Sequence, residues 1–312
     1  MERMTDTRIV LISRRTRLQE LIVRYNTVEQ ARFYIESLGS DFGEYVEEDA
    51  VYTRALRETR DILEGCGRVL PLDRSFVPHY LFAPGDVVVA AGPDGLVANT
   101  LKYLDGQHLI GVNPDPSRTD GVLLPFAPGD LRRLMPEVLR GKRSMKEVAM
   151  ALVALNDGQT LYAVNDLFIG QRSHVSARYT LRYGDRQESQ SSSGVIVSTG
   201  LGASGWLKSV IAGAAGTMGA ITGQRLPAAL PDRPDWGADR LYFSVREPFP
   251  SRTTGSSVTF GQVTEAQPLS LLSQMAENGV IFSDGIEDDY LSFNAGMEAD
   301  IRIAGKKGLL VH

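Results

Sequence analysis

Two glycine-rich loops in this sequence have the composition to hold phosphate. The first, Gly92-Pro93-Asp94-Gly95, follows the apolar run ending at Ala91 and leads into a helical pattern. A strand-to-helix junction of this kind offers backbone N–H groups and a helix dipole to an anion, and Asp94 adds a carboxylate. The same four residues also make an ordinary turn, since Pro presets one turn position and Gly supplies positive φ. The second loop, Gly200-Leu201-Gly202-Ala203-Ser204-Gly205, matches the dinucleotide fingerprint and directly follows the apolar run Val195 to Ser198. That fingerprint wants an acidic residue about 20 positions further on. The stretch from Gln224 to Leu230 has none, and Trp206 stands where a Walker loop needs Lys. Between the loops, Asn165-Asp166 set an amide beside a carboxylate, a pair able to grip the vicinal hydroxyls of a ribose or simply to turn the chain before a strand.

The elements that must position these residues fall into two textures. Up to about residue 140, strand-like and helix-like segments alternate, the pattern of an α/β layer with a mainly parallel sheet. Arg8 to Ser13 reads as a buried strand. Thr27 with Gln30 reads as a capping box opening a helix that stops at Gly39, and Tyr45 to Glu64 as a second helix ended by Gly65. Strands at Val69-Leu70 and Asp86 to Ala91, a helix from Leu96 to Leu104, the strand His108 to Val112 and a helix from Asp130 to Arg140 complete this half. Beyond Gly141-Lys142-Arg143 many segments look strand-like, among them Val148 to Leu155, Leu161 to Ile169, Ser176 to Arg182, Gly194 to Thr199, Leu241 to Val245, Ser257 to Phe260, Val280 to Ser283 and Asp300 to Ile303. The polar run Gln187 to Ser193 reads as a hairpin turn, and Pro227 to Pro234 as a surface loop. The expectation is an N-terminal Rossmann-like α/β domain over residues 1–142 and a C-terminal β-rich domain over 143–312.

Composition narrows the classes. With 312 residues, 43% hydrophobic and 23% charged, the chain is an ordinary globular one of about two domains. Its 33 basic and 38 acidic residues leave a net charge of −5, which argues against a general nucleic-acid binder. The lone Cys66 and the scattered His79, His108, His174 and His312 make a structural zinc site unexpected and point to the cytoplasm. The opening residues lack the features of a leader, and the apolar run Ser209 to Ile221 is shorter than the roughly 20 residues a bilayer span needs, so it reads as a buried, closely packed helix.

Taken together, these motifs resemble the NAD kinase family, more closely its mitochondrial branch. The family's Gly-Gly-Asp-Gly-Thr loop corresponds to Gly92-Pro93-Asp94-Gly95-Leu96, and the strand and turn after it to Ile110-Gly111-Val112-Asn113-Pro114-Asp115-Pro116. Its Asn-Glu pair corresponds to Asn165-Asp166, and its second glycine loop to Ser198-Thr199-Gly200-Leu201-Gly202-Ala203-Ser204-Gly205-Trp206, with Trp as in the mitochondrial branch. Phe243 to Pro248, Asp284-Gly285 and Thr16-Arg17 extend the likeness along most of the chain.

The resemblance implies transfer of the ATP γ-phosphoryl group to the 2′-hydroxyl of the adenosine ribose of NAD, with Mg2+ accompanying ATP and the active site between the domains. Asp94 would orient or deprotonate the hydroxyl, and Gly92 and Gly95 would form the phosphate loop. Asn165 and Asp166 would hold the ribose. Thr199, Ser204 and Trp206 would line the nucleotide site, the serine by hydrogen bonding and the indole by stacking on a base, unless Trp206 is simply core. Asn113 would support the phosphate loop or cap its own turn. Arg118 and Arg246 are candidate phosphate ligands. A homodimer or homotetramer formed largely through the β domain is implied, with neither nucleic acid nor membrane as partner. Two departures matter physically: Pro93 removes one backbone N–H and Leu96 removes a hydroxyl. They motivate the alternatives of an NAD-binding sensor without turnover and of a kinase acting on another hydroxylated small molecule, a sugar or lipid.

Overall fold

The computed structural model describes residues 4–230 and 234–312. The chain forms two compact units, one of residues up to Lys146 together with Gly308–His312, the other Glu147–Lys307. It is a mixed α/β architecture: an α/β unit followed by a β-rich one.

In the first unit, β1 (Arg8–Ser13), β2 (Arg68–Asp73), β3 (Val87–Ala91) and β4 (His108–Val112) form a parallel sheet in the order β2-β1-β3-β4. Leu309 and Leu310, near the chain's end, pair with β4 in the same direction. All five residues of β3 are buried, as expected of a parallel strand covered on both faces. The helices are α1 (Arg17–Tyr25), α2 (Val28–Ser37), α3 (Gly43–Cys66), α4 (Asp94–Leu101) and α5 (Leu131–Leu139). Thr16 and Gln19 close a full capping box on α1, whereas Thr27 caps α2 with the Gln30 N–H alone. Gly65 lies inside α3, which runs on to Cys66 and ends at Gly67. There an added Cβ would come within 2.6 Å of the Thr7 carbonyl oxygen. Ile62, Leu63, Leu131, Leu134 and Val138 from α3 and α5 pack against Ile9, Leu11, Val87, Val89 and Ile110 of the sheet.

The second unit is two packed sheets. One contains β5 (Met145–Leu155), β6 (Thr160–Ala163), β8 (Ala177–Tyr183), β9 (Arg186–Ser192), β13 (Leu269–Ser273) and the larger part of β16 (Glu298–Val311). The other runs β12-β11-β10-β7-β14-β15, antiparallel throughout, from β7 (Asp166–Gln171), β10 (Val195–Ser198), β11 (Leu241–Val245), β12 (Phe260–Val263), β14 (Gly279–Ser283) and β15 (Ile286–Ser292). Alternate residues of each sheet, such as Leu167, Ile169, Val195, Val197 and Phe243 against Tyr179, Leu181, Leu271 and Ile301, interdigitate in one core.

Three local expectations change. Leu161 to Ile169 is two strands, broken at Val164-Asn165, because the backbone N–H groups there bond a side chain instead of a neighbouring strand. Gln187 to Ser193 belongs almost wholly to strand β9; its polar side chains are used internally, Tyr179 OH meeting Gln190 and Ser192, and the turn is at Gly184 (φ 58°). The apolar run from Ser209 forms part of α6 (Trp206–Thr222), yet only Leu207 of that helix is buried. Its apolar character comes mainly from Ala and Gly, which offer little area for packing, while Ile221 stays 73% exposed. The loop expected from Pro227 to Pro234 lies partly outside the described residues. Among the described residues, no helix is long and apolar enough to cross a membrane.

Candidate functional site

In the first unit β3 delivers the chain to Gly92 and Pro93, and Pro93 is the N-cap of α4 (φ −72°, ψ 165°). Leu96 tucks beneath Gly92: a Cβ at position 92 would lie 2.7 Å from Leu96 Cδ2, so this glycine makes room for a leucine. Gly95 is open, with nothing within 4 Å of an added Cβ. The Asp94 carboxylate is engaged. The Val122 N–H donates to Oδ2 at 3.1 Å and the Leu123 N–H to Oδ1 at 2.8 Å, which pins segment 121–124 where the Leu123 carbonyl oxygen would be 2.0 Å from a Cβ on Gly111. Each carboxylate oxygen keeps lone-pair capacity for one more donor. Asn113 is nearly inaccessible, and its amide is used within its own loop, donating to Thr119 O at 2.8 Å and accepting from Asp115 N at 3.0 Å. It therefore shapes the turn that follows β4.

Beside Gly92 and Pro93 opens a cleft of about 430 Å³ edged by Arg14, Arg17, Arg118, Glu48, Asp115 and Tyr52. Arg14 reaches Glu48 at 3.0 Å, Arg17 pairs with the same carboxylate, and Arg118 pairs with Glu47. Burial works against a charge on Glu48, but hydrogen bonds from Arg17 and Arg14 outweigh it and hold the carboxyl below its ordinary value. The three guanidiniums are balanced by Glu47, Glu48 and Asp115, and their remaining N–H groups are what the cleft offers an anion. Of these groups Arg17, Asp115 and Arg118 stand in stretches the sequence already singles out, whereas Arg14 and Glu48 are brought to them by folding rather than by spacing.

In the second unit the turn at Val164-Asn165-Asp166 is organised by a residue more than a hundred positions away. Asp284 and Gly285 are both left-handed (φ 53° and 72°), the pair expected at a tight turn between two strands, here β14 and β15. The Asp284 carboxylate accepts from three successive N–H groups: Val164 at 3.0 Å, Asn165 at 2.6 Å and Asp166 at 3.2 Å. The Asp284 N–H in turn donates to Asp166 O at 2.9 Å.

The glycine loop is then locked onto this turn. Thr199, fully buried, donates its hydroxyl to Val164 O at 2.6 Å and its N–H to Asn165 O at 2.9 Å, and accepts from Gly202 N at 3.1 Å. A Cβ at Gly202 would sit 2.1 Å from Asn165 O, and one at Gly200 would sit 2.0 Å from Asp235 O. Both glycines are thus explained by backbone contact. The structure brings Asn165, Asp166 and Thr199 into one hydrogen-bonded unit, with Ser204 exposed and half-buried Trp206 where the loop becomes α6. The Ser204 hydroxyl donates to Leu201 O at 2.9 Å and keeps its acceptor capacity. Trp206 stands outside the main core, stacked on Phe168 at 5.9 Å, with the Arg246 guanidinium over its ring at 5.6 Å.

Asp166 is the electrostatically unusual member. Its Oδ1 is buried without a hydrogen-bond partner, as is Oγ of Ser198, its register partner on β10. Burial, opposed by the neighbouring Ser198 hydroxyl and reinforced by the Asp284 charge, pushes the Asp166 carboxyl up to about 7. The folded protein therefore holds this proton more tightly than the unfolded chain. The associated stability is complete below about pH 4 and is lost as the pH rises through about 7, a loss of about 4 kcal/mol. Replacing Asp166→Asn is expected to raise stability by about 2–4 kcal/mol at pH 8, with little gain at pH 4, in urea unfolding at the two pH values. Equal differences at both would remove the burial effect. Among the described residues, no cluster of three His, Cys, Asp or Glu side chains is arranged to hold a metal ion.

No family model and no curated protein sequence matches the chain. Solved structures do match by fold. An NAD kinase from Archaeoglobus fulgidus in complex with ATP is 14% identical, with 98% of this chain and 94% of that chain covered and a TM-score of 0.58. The chain thus has an NAD kinase-like fold.

Proposed function

We propose that the protein is an NAD kinase, moving the γ-phosphoryl group of magnesium-bound ATP to the 2′-hydroxyl of the adenosine ribose of NAD. The observation that carries this is the Asn165-Asp166 turn. It is ordered by the Asp284 carboxylate and clamped by Thr199, which sets the Asn165 amide beside the Asp166 carboxyl, a pair suited to vicinal hydroxyls, in a chain with an NAD kinase-like fold. The arginine-edged cleft beside Gly92 suits the triphosphate, with the N–H groups that Arg14, Arg17 and Arg118 do not give to Glu48 and Glu47 as donors. Magnesium enters with the nucleotide as part of the substrate, bound mainly by phosphate oxygens and water. In the transfer, the ribose oxygen bonds to γ-phosphorus as the bond to the leaving ADP oxygen breaks. Asp94 accepts a hydrogen bond from the attacking hydroxyl through a lone pair its two amide donors leave free. Trp206 and the stretch Phe243 to Pro248 support the likeness to the mitochondrial branch. A homodimer or homotetramer is proposed on the same resemblance.

A second reading, an NAD sensor without turnover, is favoured by the double amide engagement of Asp94 and by Leu96 filling the space beneath Gly92. A coupled assay decides: purified protein with magnesium and ATP, offered NAD and NADH separately, and an enzyme specific for the phosphorylated dinucleotide as detector. Product formation is expected. Calorimetric NAD binding without product would establish the sensor, and ATP consumption indifferent to NAD would point to another hydroxylated acceptor.

A further inference from the structure

In the sheet of the first unit the chain passes from β1 to β2 on one side of β1 and later to β3 on the other. The connections after β1 and β3 depart to opposite sides, so a crevice opens beyond the carboxyl ends of these two strands, the place where open parallel sheets take their ligands. The cleft edged by Arg14, Arg17, Gly92 and Pro93 lies there. Pairing between β1 and β3 stops at Ile12 with Ala90. Thr7, just before β1, turns its carbonyl to β2, accepting from Arg68 N–H at 2.9 Å, so the backbone groups of even-numbered residues face β3. The next rung of the ladder would therefore run from Arg14 N–H to Ala91 O.

That rung is interrupted by a side chain. The Tyr52 hydroxyl, carried in from α3, accepts from Arg14 N–H at 3.0 Å and donates to Ala91 O at 2.9 Å. One oxygen atom thus stands between two strand ends that would otherwise bond directly, and holds them apart. The Ala91–Gly92 peptide is fixed from both sides, because its N–H donates to Val112 O of β4 at 3.3 Å. The glycine loop and Asp94 leave from this peptide. On the opposite wall the Arg14 guanidinium lies over the Tyr52 ring at 5.3 Å while it reaches Glu48. Tyr52 is buried, and burial pushes its phenol above the ordinary value, so the hydroxyl stays protonated and able to donate.

We propose that Tyr52 is a positioning residue for the phosphoryl donor: its hydroxyl, inserted in the last rung between β1 and β3, sets the width of the crevice and holds the Gly92 loop and Arg14 on its two walls at the separation a triphosphate needs. The proposal rests on the reading above that this cleft takes ATP. Tyr52 touches no reacting atom and acts through the two backbones it joins. Without the hydroxyl, Ala91 O and Arg14 N–H lose their partner, and the least costly repair is to bond each other, which draws the strand ends together and narrows the entrance.

The test compares the full chain with Tyr52→Phe, which keeps the ring under Arg14 and removes the hydroxyl alone. Calorimetric titrations of magnesium-ATP and of NAD, the coupled assay and urea unfolding are run on both proteins. The variant is expected to bind magnesium-ATP about 10-fold more weakly or worse and to raise KM for ATP to match, with kcat within about threefold and NAD affinity within about twofold. Equal weakening of ATP and NAD, or lower urea stability with ATP affinity within about twofold, marks a hydroxyl that only supports the fold and overturns the proposal. A check that needs no variant covers the case in which Tyr52→Phe does not fold. Exchange of the Arg14 and Gly92 amides in the unaltered protein should slow by about 5-fold or more with magnesium-ATP and not with NAD, and amides indifferent to ATP overturn the proposal. ATP binding that depends on Tyr52, without product from NAD, leaves the positioning role standing and removes the NAD kinase reading; product with an ATP KM indifferent to Tyr52→Phe rejects the positioning role alone.

Discussion

Asp284→Ala is expected to destabilise the β-rich unit by about 3–5 kcal/mol and to abolish measurable NAD binding. Its carboxylate is the acceptor for the N–H groups of Val164, Asn165 and Asp166, and an unsatisfied buried donor costs about 1–3 kcal/mol. Alanine is also poorly suited to φ 53°, a conformation costing an ordinary residue about 1–2 kcal/mol. Partial re-solvation of the turn keeps the total below the sum of these terms. A loss of this size is a large share of the roughly 5–15 kcal/mol that holds a domain together. Asp284→Asn separates the causes, since Asn tolerates the left-handed conformation and keeps one acceptor oxygen. It should recover about half of the stability while NAD affinity stays weakened. Urea unfolding with calorimetric titration measures both quantities. An alanine variant within 1 kcal/mol of the parent would show that the three amides find other acceptors.

The second large effect is on chemistry. Asp94→Asn is expected to lower turnover by about 10²–10⁴-fold, the usual range for losing a positioned proton acceptor, while NAD affinity changes by less than about threefold. The carboxamide can still accept from the Leu123 N–H but turns its own N–H2 toward the Val122 N–H, so segment 121–124 loosens as well. The two consequences are separable by measurement. Loosening appears in thermal unfolding and in the apparent ATP affinity, whereas loss of the acceptor appears in single-turnover transfer at saturating ATP. Transfer unchanged at saturation would leave Asp94 as the anchor of the 122–123 amides and no more.

Most strands and helices could be read from local chemistry. Buried parallel strands such as Val87 to Ala91 are continuous apolar runs, and Thr27 marks a helix start by its capping side chain, whereas the capping box at Thr16 came to light only in the structure. What the sequence hid was long-range. Arg186 to Ser192 is polar and looks like a turn until Tyr179 supplies hydrogen-bond partners from the neighbouring strand. Asp284-Gly285 looks like a simple hairpin turn, and nothing nearby signals that its carboxylate orders residues 164–166. The helix after Trp206 misleads in the opposite sense: its apolar composition suggests burial, but side chains as small as Ala and Gly can leave a helix exposed. Of the candidate site, Asn165, Asp166 and Thr199 were legible as an adjacent pair and a loop motif. Phe168, Tyr52 and Arg14 were not, because alternation along a strand and packing across elements assign them their neighbours.

The collision geometry at Gly200 and Gly202 bears on how this protein can change. Any side chain at either position would overlap a backbone carbonyl at about 2 Å, and a carbonyl cannot step aside as a flexible side chain can. The loop's central sequence is therefore frozen by the chain's own path, whatever nucleotide it serves. Variation in ligand preference is left to the loop's exit, where Ser204 is exposed and Trp206 half-buried, and to the strands beside it. Directed evolution of specificity should start with libraries at Ser204, Trp206 and Phe168, where substitutions can alter ligand contacts without first having to rebuild the backbone.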